Sequence, residues 1–124
     1  MNPIKPKTIH RNQVRLERHE TKNACTVRSI GAARAYSFHT KNLSETGLLI
    51  AGSGAQYEFN KSTILEVCLV DERINFLAKV IRIHDNEFGL KIIQSERDEA
   101  EKYLKLLNLL SRRAAAEIKL HNVS

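Results

Sequence analysis

Short apolar runs separated by turn signals fill the segment from residue 24 to residue 94, and this spacing restricts the fold more than any other feature. Each run is rich in β-branched or aromatic residues, or alternates apolar with polar ones, as strands do. The six runs span residues 24–30, 35–40, 48–51, 63–70, 74–84 and 88–93. Several of the turns between them are of hairpin length. The sequence therefore predicts a mainly β fold, a small six-stranded antiparallel barrel or sandwich.

The last 30 residues follow a helical pattern instead. Ser95-Glu96-Arg97-Asp98 resembles a capping box, with an acid three residues after the serine. Apolar residues then recur at helical spacing between charged ones: Ala100, Tyr103, Leu104, Leu107, Leu110, Ala114 and Ile118. We expect a helix from about residue 96 to 119. Leu106 and Leu109 widen its apolar face, which predicts either a broad core contact or a surface for dimerisation or a partner protein.

The net charge of +6 is confined to the first 34 residues. They hold eight of the 20 basic and two of the 14 acidic residues, which leaves 12 of each in the rest of the chain. Residues 1–23 also contain both prolines and show no sustained periodicity, which is typical of an extended or loosely ordered arm. A basic arm on a neutral body indicates an anionic partner, either phosphates, nucleic acid or an acidic membrane surface. A solubilising tail is the alternative interpretation.

The chain length is that of one domain. We expect a flexible basic arm over residues 1–23, a barrel over 24–94, and an amphipathic helix packed on it over 95–120. No apolar run approaches the roughly 18 residues that a membrane span needs. The N-terminal region has no apolar stretch of the kind found in secretory signals, so a cytoplasmic location is expected.

The residue pattern does not indicate a metal site or an enzyme. Cys25 and Cys68 have no second Cys or His at ligand spacing, and the five histidines are scattered. Free buried thiols are therefore expected, rather than a disulfide or a metal centre. No nucleophile–base pair, paired carboxylates or glycine-rich phosphate loop is present, so we predict a protein without catalytic residues, metal or cofactor.

Two short motifs are suited to an anionic ligand. Arg11 and Arg15 stand four residues apart in the arm, and guanidinium groups match phosphate oxygens and the O6 and N7 edge of guanine. Where one predicted strand ends and the next begins, Asn42 could satisfy a purine edge and Ser44 could contact a phosphate or a backbone group. Gly47 permits a positive φ or a close approach of backbone to ligand. An ordinary Asn/Ser/Gly turn explains the same residues.

Together these motifs resemble the PilZ domain family, whose signature is RxxxR in an N-terminal arm followed by [D/N]xSxxG. Here the two halves are Arg11-x-x-x-Arg15 and Asn42-x-Ser44-x-x-Gly47. The likeness continues through residues 78–83 and 88–92 and into the C-terminal helix. It implies a six-stranded antiparallel β-barrel that binds the bacterial second messenger cyclic di-GMP.

The resemblance also implies roles for individual residues. Arg11 and Arg15 would clamp phosphates and guanine edges, Asn42 would read a guanine edge, and Ser44 would contact the ligand or brace the loop. Gly47 would hold the turn. The chain departs from the family in having Asn42 for the commoner aspartate. In addition, Arg15 lies farther from the first strand than usual, so Arg18, in the register Arg18-x-x-x-Lys22, joins or replaces one of the pair.

The main hypothesis is a non-enzymatic cyclic di-GMP receptor that signals to a partner protein through a change in its arm or helix surface. An adaptor of the same fold that has lost nucleotide binding is the first alternative. A basic-arm barrel for RNA or DNA is the second, although aromatic residues make up only 6% of the chain and there is no Trp to form a stacking platform. A homodimer through the C-terminal helix is compatible with each hypothesis.

Overall fold

Seven strands and one helix make up the part of the chain that the computed structural model describes, residues 18–52 and 59–123, with side chains described through residue 116. The strands are β1 (His19–Glu20), β2 (Ala24–Ser29), β3 (Tyr36–Leu43), β4 (Gly47–Ala51), β5 (Ile64–Leu69), β6 (Ile74–His84) and β7 (Glu87–Gln94). The helix is α1 (Arg97–Val123). The predicted mainly β architecture is confirmed.

Six of the strands close into a barrel. Going round it, β2 pairs with β3, β3 with β4, β4 with β7, β7 with β6, β6 with β5, and β5 again with β2, always antiparallel. Closure leaves these six strands without a free edge. The barrel, rather than the sandwich, is therefore the correct form of the predicted fold.

Alternation along the strands fills the interior. In β5, for example, Leu65, Val67 and Leu69 are buried while the residues between them are partly exposed. Phe38, Phe59 and Phe88 form a group of rings whose centroids lie 5.6 to 6.4 Å apart. Edge and offset ring contacts of this kind stabilise a core beyond simple burial.

The short strand β1 was not predicted, and it attaches the end of the arm to β3. Its register with β3 is His19 opposite Leu43 and Glu20 opposite Asn42. Because β4 occupies the other edge of β3 at these positions, β1 lies on the same edge as β2 and extends it beyond the barrel. Residues 1–17 lie outside the described residues, so the division of the chain into arm, barrel and helix stays a prediction.

A buried hydroxyl fixes the junction between β1 and β2. The Thr40 side chain is fully buried, and its Oγ1 lies 2.6 Å from Thr21 Oγ1. The same atom accepts a hydrogen bond of 2.8 Å from the backbone N–H of Asn23. The Asn23 side-chain amide in turn donates to the carboxylate of Glu72, in the turn between β5 and β6. Residues 21–23 are thus attached to the barrel just before β2 begins.

The helix starts one residue later than its capping pattern predicted. The backbone N–H of Ala100 donates to the carbonyl of Glu96 at 2.9 Å, so Glu96 is the N-cap and the prediction of a capping box at Ser95 was wrong. Tyr103 and Leu107 are buried against the barrel, and Leu106 packs beside them. Leu104 and Leu109 are 46% and 42% exposed, so the apolar face of α1 is wider than its contact with the barrel.

Candidate functional site

The loop between β3 and β4 is held in place by its own side chains. Leu43, at the end of β3, is fully buried and anchors the loop in the barrel core. Ser44 is also buried, and its hydroxyl donates to the Gly47 carbonyl at 3.2 Å and accepts from the Gly47 N–H at 3.3 Å. The Ser44 N–H donates to the same carbonyl at 2.9 Å. Of the two roles considered for Ser44, these bonds favour bracing the loop.

The structure requires glycine at position 47 for a reason other than the two that the sequence suggested, a positive φ or a close approach of the backbone to a ligand. It lies at the start of β4, opposite Lys91 of β7, and its φ is not positive. A β-carbon at this position would lie 2.2 Å from the carbonyl oxygen of Leu90. The close approach is therefore between two strands of the barrel and not between backbone and ligand.

A tyrosine of the helix also contacts this loop. Tyr103 Oη donates to the Ser44 carbonyl at 2.7 Å and lies 3.4 Å from the Gly47 carbonyl oxygen. Burial raises the pKa of Tyr103 above its ordinary value, so its hydroxyl stays protonated and able to donate well into the alkaline range. The sequence placed Tyr103 only in the apolar stripe of the helix. A hydroxyl in that stripe is the signal that could have marked it, because buried Tyr hydroxyls usually have a partner.

Arg18 and the β3–β4 loop line one cleft. Since His19 pairs with Leu43, residue 18 lies next to Ser44, the first residue after β3. The cleft has a volume of about 150 Å³. Its walls come from residues 18, 42, 44, 46–49, 81, 82 and 89–91. Drug-sized ligands usually occupy clefts of about 300–1,000 Å³, so this one would hold only part of a dinucleotide.

The predicted site residues are thus brought together only in part. Asn42, Ser44 and Gly47 share the cleft with Arg18. Arg11 and Arg15 lie outside the described residues. Lys22, the second member of the alternative register, is exposed and does not line this cleft.

Arg82 was missed by the sequence analysis. It is exposed on β6, where the pairing with β7 shifts by one residue between Val80 and Arg82, and it stands opposite Gly89. Its Nε and Nη2 atoms lie 3.5 Å from the position that a β-carbon on Gly89 would occupy, so the guanidinium lies over the bare backbone of β7. A glycine within an alternating strand, where it often marks a close approach, is the available signal.

The charge of the cleft is uniformly positive. Arg18, Arg82 and Lys91 line it, and no Asp or Glu is among its described lining residues. Such a surface concentrates anions. A larger cavity of about 590 Å³ between β2, β5, β6 and the start of α1 has the opposite character. Glu66, Glu96 and Glu99 line it, and its one arginine, Arg28, is paired with Glu66. Charge therefore favours the smaller cleft as the anion site.

The remaining chemistry of the described residues is limited. Cys25 and Cys68 are free thiols, as predicted, but only Cys25 is buried, whereas Cys68 is partly exposed. Burial raises the pKa of Cys25 to about 12. No group of three or more His, Cys, Asp or Glu side chains is placed to hold a metal ion within residues 18–52 and 59–116. Over the same part of the chain, no helix combines the length and the apolar character that crossing a membrane requires.

Comparison with known proteins points to one family. The family model for the PilZ domain matches residues 9–109. The PilZ domain of YcgR from Escherichia coli, solved with c-di-GMP, has a TM-score of 0.66 and 16% identity, with 85% of this chain and 96% of that chain covered. The PilZ domain of CeSA from a cellulose-synthesizing bacterium has a TM-score of 0.62 and 15% identity, with 77% and 98% covered.

A third similar structure belongs to a longer protein. The inhibitor of motility MotI/DgrA from Bacillus subtilis has a TM-score of 0.67 and 15% identity, with 82% of this chain but only 51% of that chain covered. No curated protein matched the sequence. At these identities the structural likeness concerns the fold.

Proposed function

This chain belongs to the PilZ domain family, and we propose that it is a receptor for cyclic di-GMP that works without catalysis. The observation that carries the proposal is the register of β1 on β3, with His19 opposite Leu43. Through this pairing Arg18, from the end of the basic arm, lines one cationic cleft with Asn42, Ser44 and Gly47, which supports a site that combines arm and loop. The PilZ domain of YcgR, which has the same fold, was solved with this dinucleotide.

Each residue of the cleft has a role that its chemistry supports. The guanidinium of Arg18 would bind a phosphate or the O6 and N7 edge of a guanine, and Asn42 would satisfy a further polar atom of the base. Arg11 and Arg15 would complete the clamp from the arm as it orders over the ligand, which costs conformational entropy at that step. Ser44 would act by holding the loop, and Arg82 would supply a second phosphate contact from β6.

The output of the receptor is also part of the proposal. Ordering of the arm next to β1 would change the surface beside α1, because the helix contacts β1 as well as β6. A partner protein, or a second copy of the chain, would then detect this surface. The exposed Leu104 and Leu109 of α1 make the helix the first place to look for such a contact. A cytoplasmic location would suit a receptor for an intracellular messenger.

The proposal is tested by calorimetric titration of the purified chain with cyclic di-GMP, with GTP and a short oligonucleotide as controls. We expect micromolar or tighter binding of the dinucleotide that is lost in Arg15→Ala and weakened in Ser44→Ala. The matched control is Ser37→Ala, at an exposed serine of the preceding strand β3, and this variant should bind normally.

Other outcomes would point to the alternatives. No heat with cyclic di-GMP at millimolar concentration would overturn the receptor and leave an adaptor that acts through protein contacts. Preferential binding of the oligonucleotide, with affinity that falls steeply with salt, would identify a nucleic-acid-binding barrel instead.

A further inference from the structure

We propose that Tyr103 of α1 is a positioning residue for the β3–β4 loop, and that it sets the affinity of the cleft for its anionic ligand without touching that ligand. The inference rests on the proposed function, since the loop is taken as half of the nucleotide site. Tyr103 is not among the residues that line the cleft, so any effect it has on binding must pass through the loop.

The loop depends on the helix for one of its bonds. Ser44 and Gly47 bond to each other, but the carbonyl of Ser44 points to the helix and accepts the Tyr103 hydroxyl at 2.7 Å. The carbonyl of Gly47 accepts from Ser44 and also lies 3.4 Å from the same hydroxyl. One side-chain atom, 59 and 56 positions away along the chain, therefore joins both ends of the loop turn.

The hydroxyl is itself fixed in space. The Tyr103 ring is 5% exposed and packs edge-on against Phe76 of β6, with 5.6 Å between ring centroids. One turn earlier in α1, the carboxylate of Glu99 accepts the backbone N–H of Asn75 at 2.7 Å. Lys102 Nζ donates to the Arg73 carbonyl at 2.8 Å. The helix is thus attached to the start of β6, and the Tyr103 hydroxyl bonds the loop to this fixed helix.

Removal of the hydroxyl would leave the buried Ser44 carbonyl without this donor. A buried carbonyl that loses its partner favours rearrangement toward water, and the turn would then sample other conformations. Asn42, two residues before Ser44, would no longer be held at one position in the cleft. A loop that samples several conformations must be ordered when the ligand binds. The entropy cost of this ordering lowers the affinity.

The test compares Tyr103→Phe with wild type. This variant keeps the ring and its contact with Phe76 and removes only the hydroxyl. We expect a Kd for cyclic di-GMP that is roughly 3- to 10-fold higher, which corresponds to the net free energy of one hydrogen bond. Tyr36→Phe is the matched control, because it removes the same atom at the far end of β3, and its Kd should equal that of wild type.

Amide hydrogen exchange without ligand separates positioning from a general loss of stability. In Tyr103→Phe the N–H groups of Ser44 and Gly47, which bond within the loop, should exchange faster, while those of β5 in the barrel core should exchange at the wild-type rate. A uniform increase over all core amides with an unchanged Kd would reduce Tyr103 to a merely structural role. Wild-type Kd and wild-type exchange would overturn the inference as well.

The exchange measurement also keeps this inference separate from the proposed function. If wild type itself does not bind cyclic di-GMP, the receptor proposal fails. Faster exchange confined to Ser44 and Gly47 would still show that Tyr103 positions the loop, whereas unchanged exchange would overturn that too.

Discussion

The carbonyl oxygen of Leu90 lies 2.2 Å from the place that a β-carbon on Gly47 would occupy, so strands β4 and β7 approach each other at a distance that only glycine allows. The contact is backbone against backbone, and no side chain can move aside to relieve it. The last residue of the NxSxxG motif therefore has a role in closing the barrel, independent of any ligand.

Gly47→Ala should accordingly destabilise the fold. We expect the free energy of unfolding in urea to fall by about 1–3 kcal/mol, the usual range for overpacking a tight site. Gly31→Asn is the control: Gly31 has a φ of 85° with nothing within 4 Å of a β-carbon, and Asn tolerates that backbone conformation. Its stability should change by only a few tenths of a kcal/mol. A Gly47→Ala variant as stable as wild type would show that β4 and β7 can separate without loss.

The barrel strands and the helix could be predicted because their signals are local. Alternation and turn residues identified all six barrel strands, and β6 was predicted with its observed ends, Ile74–His84. The strand β1 could not be found in this way, because two residues are too few to show the alternation of apolar and polar side chains that marks a strand. Its position depends on hydrogen bonds from residues 21–23 to Lys41 and Thr40, which form only when the barrel is in place.

The site was less predictable than the fold, because its parts meet only in three dimensions. Arg82 reaches the cleft owing to a register shift between β6 and β7, and no property of its neighbours in sequence predicts that shift. Tyr103 bonds to a loop 59 residues earlier. Asn42 and Ser44 could be named because a short motif carries them.

Arg82 should contribute to ligand affinity although it belongs to neither half of the family motif. Arg82→Ala is expected to weaken cyclic di-GMP binding by about 1.5–3 kcal/mol, the typical value of a hydrogen bond to a charged group. Stability should change little, because the side chain is exposed. Arg112→Ala, an exposed arginine on α1, controls for net charge and should bind as wild type does. Equal affinities for the two variants in calorimetry would remove Arg82 from the site.

Gly89→Ala tests the same contact from the other strand. The new β-carbon would lie 3.3 Å from Arg82 Cβ, tight enough that Arg82 must shift by a few tenths of an ångström, and at an ordinary contact distance of 3.5 Å from Nε and Nη2. We expect weaker binding than in wild type but no further loss when Arg82→Ala is added, as a double-mutant cycle would show. Additive losses would mean that Gly89 acts on the cleft by another route.

Attachment of the helix should depend on pH through Glu99. The hydrogen bond from the Asn75 N–H, followed by that from Lys102, lowers the pKa of Glu99 in the folded protein. A carboxylate whose pKa is lowered by folding stabilises the fold at pH values above its unfolded pKa of about 4.3. This stabilisation is lost as the pH falls through the pKa of the folded state. Glu99→Gln should therefore be less stable than wild type at pH 7, with a difference that shrinks in acid. Urea unfolding of both proteins at pH 7 and in acid measures this difference in stability. A difference that does not change with pH would contradict the role of the Glu99 carboxylate.

Arg18 provides the sharpest test of how the arm meets the barrel. Its place beside Ser44 follows from the pairing of His19 with Leu43, so Arg18→Ala should weaken cyclic di-GMP binding by about 1.5–3 kcal/mol. Arg18→Lys keeps the charge but lacks the planar fork, and it should recover only part of the affinity if contact is bidentate. Full recovery by lysine would indicate a purely electrostatic role. If instead Arg18→Ala binds normally while Arg11→Ala does not, the ligand is held by the earlier arginines, and β1 serves only to direct the arm toward the cleft.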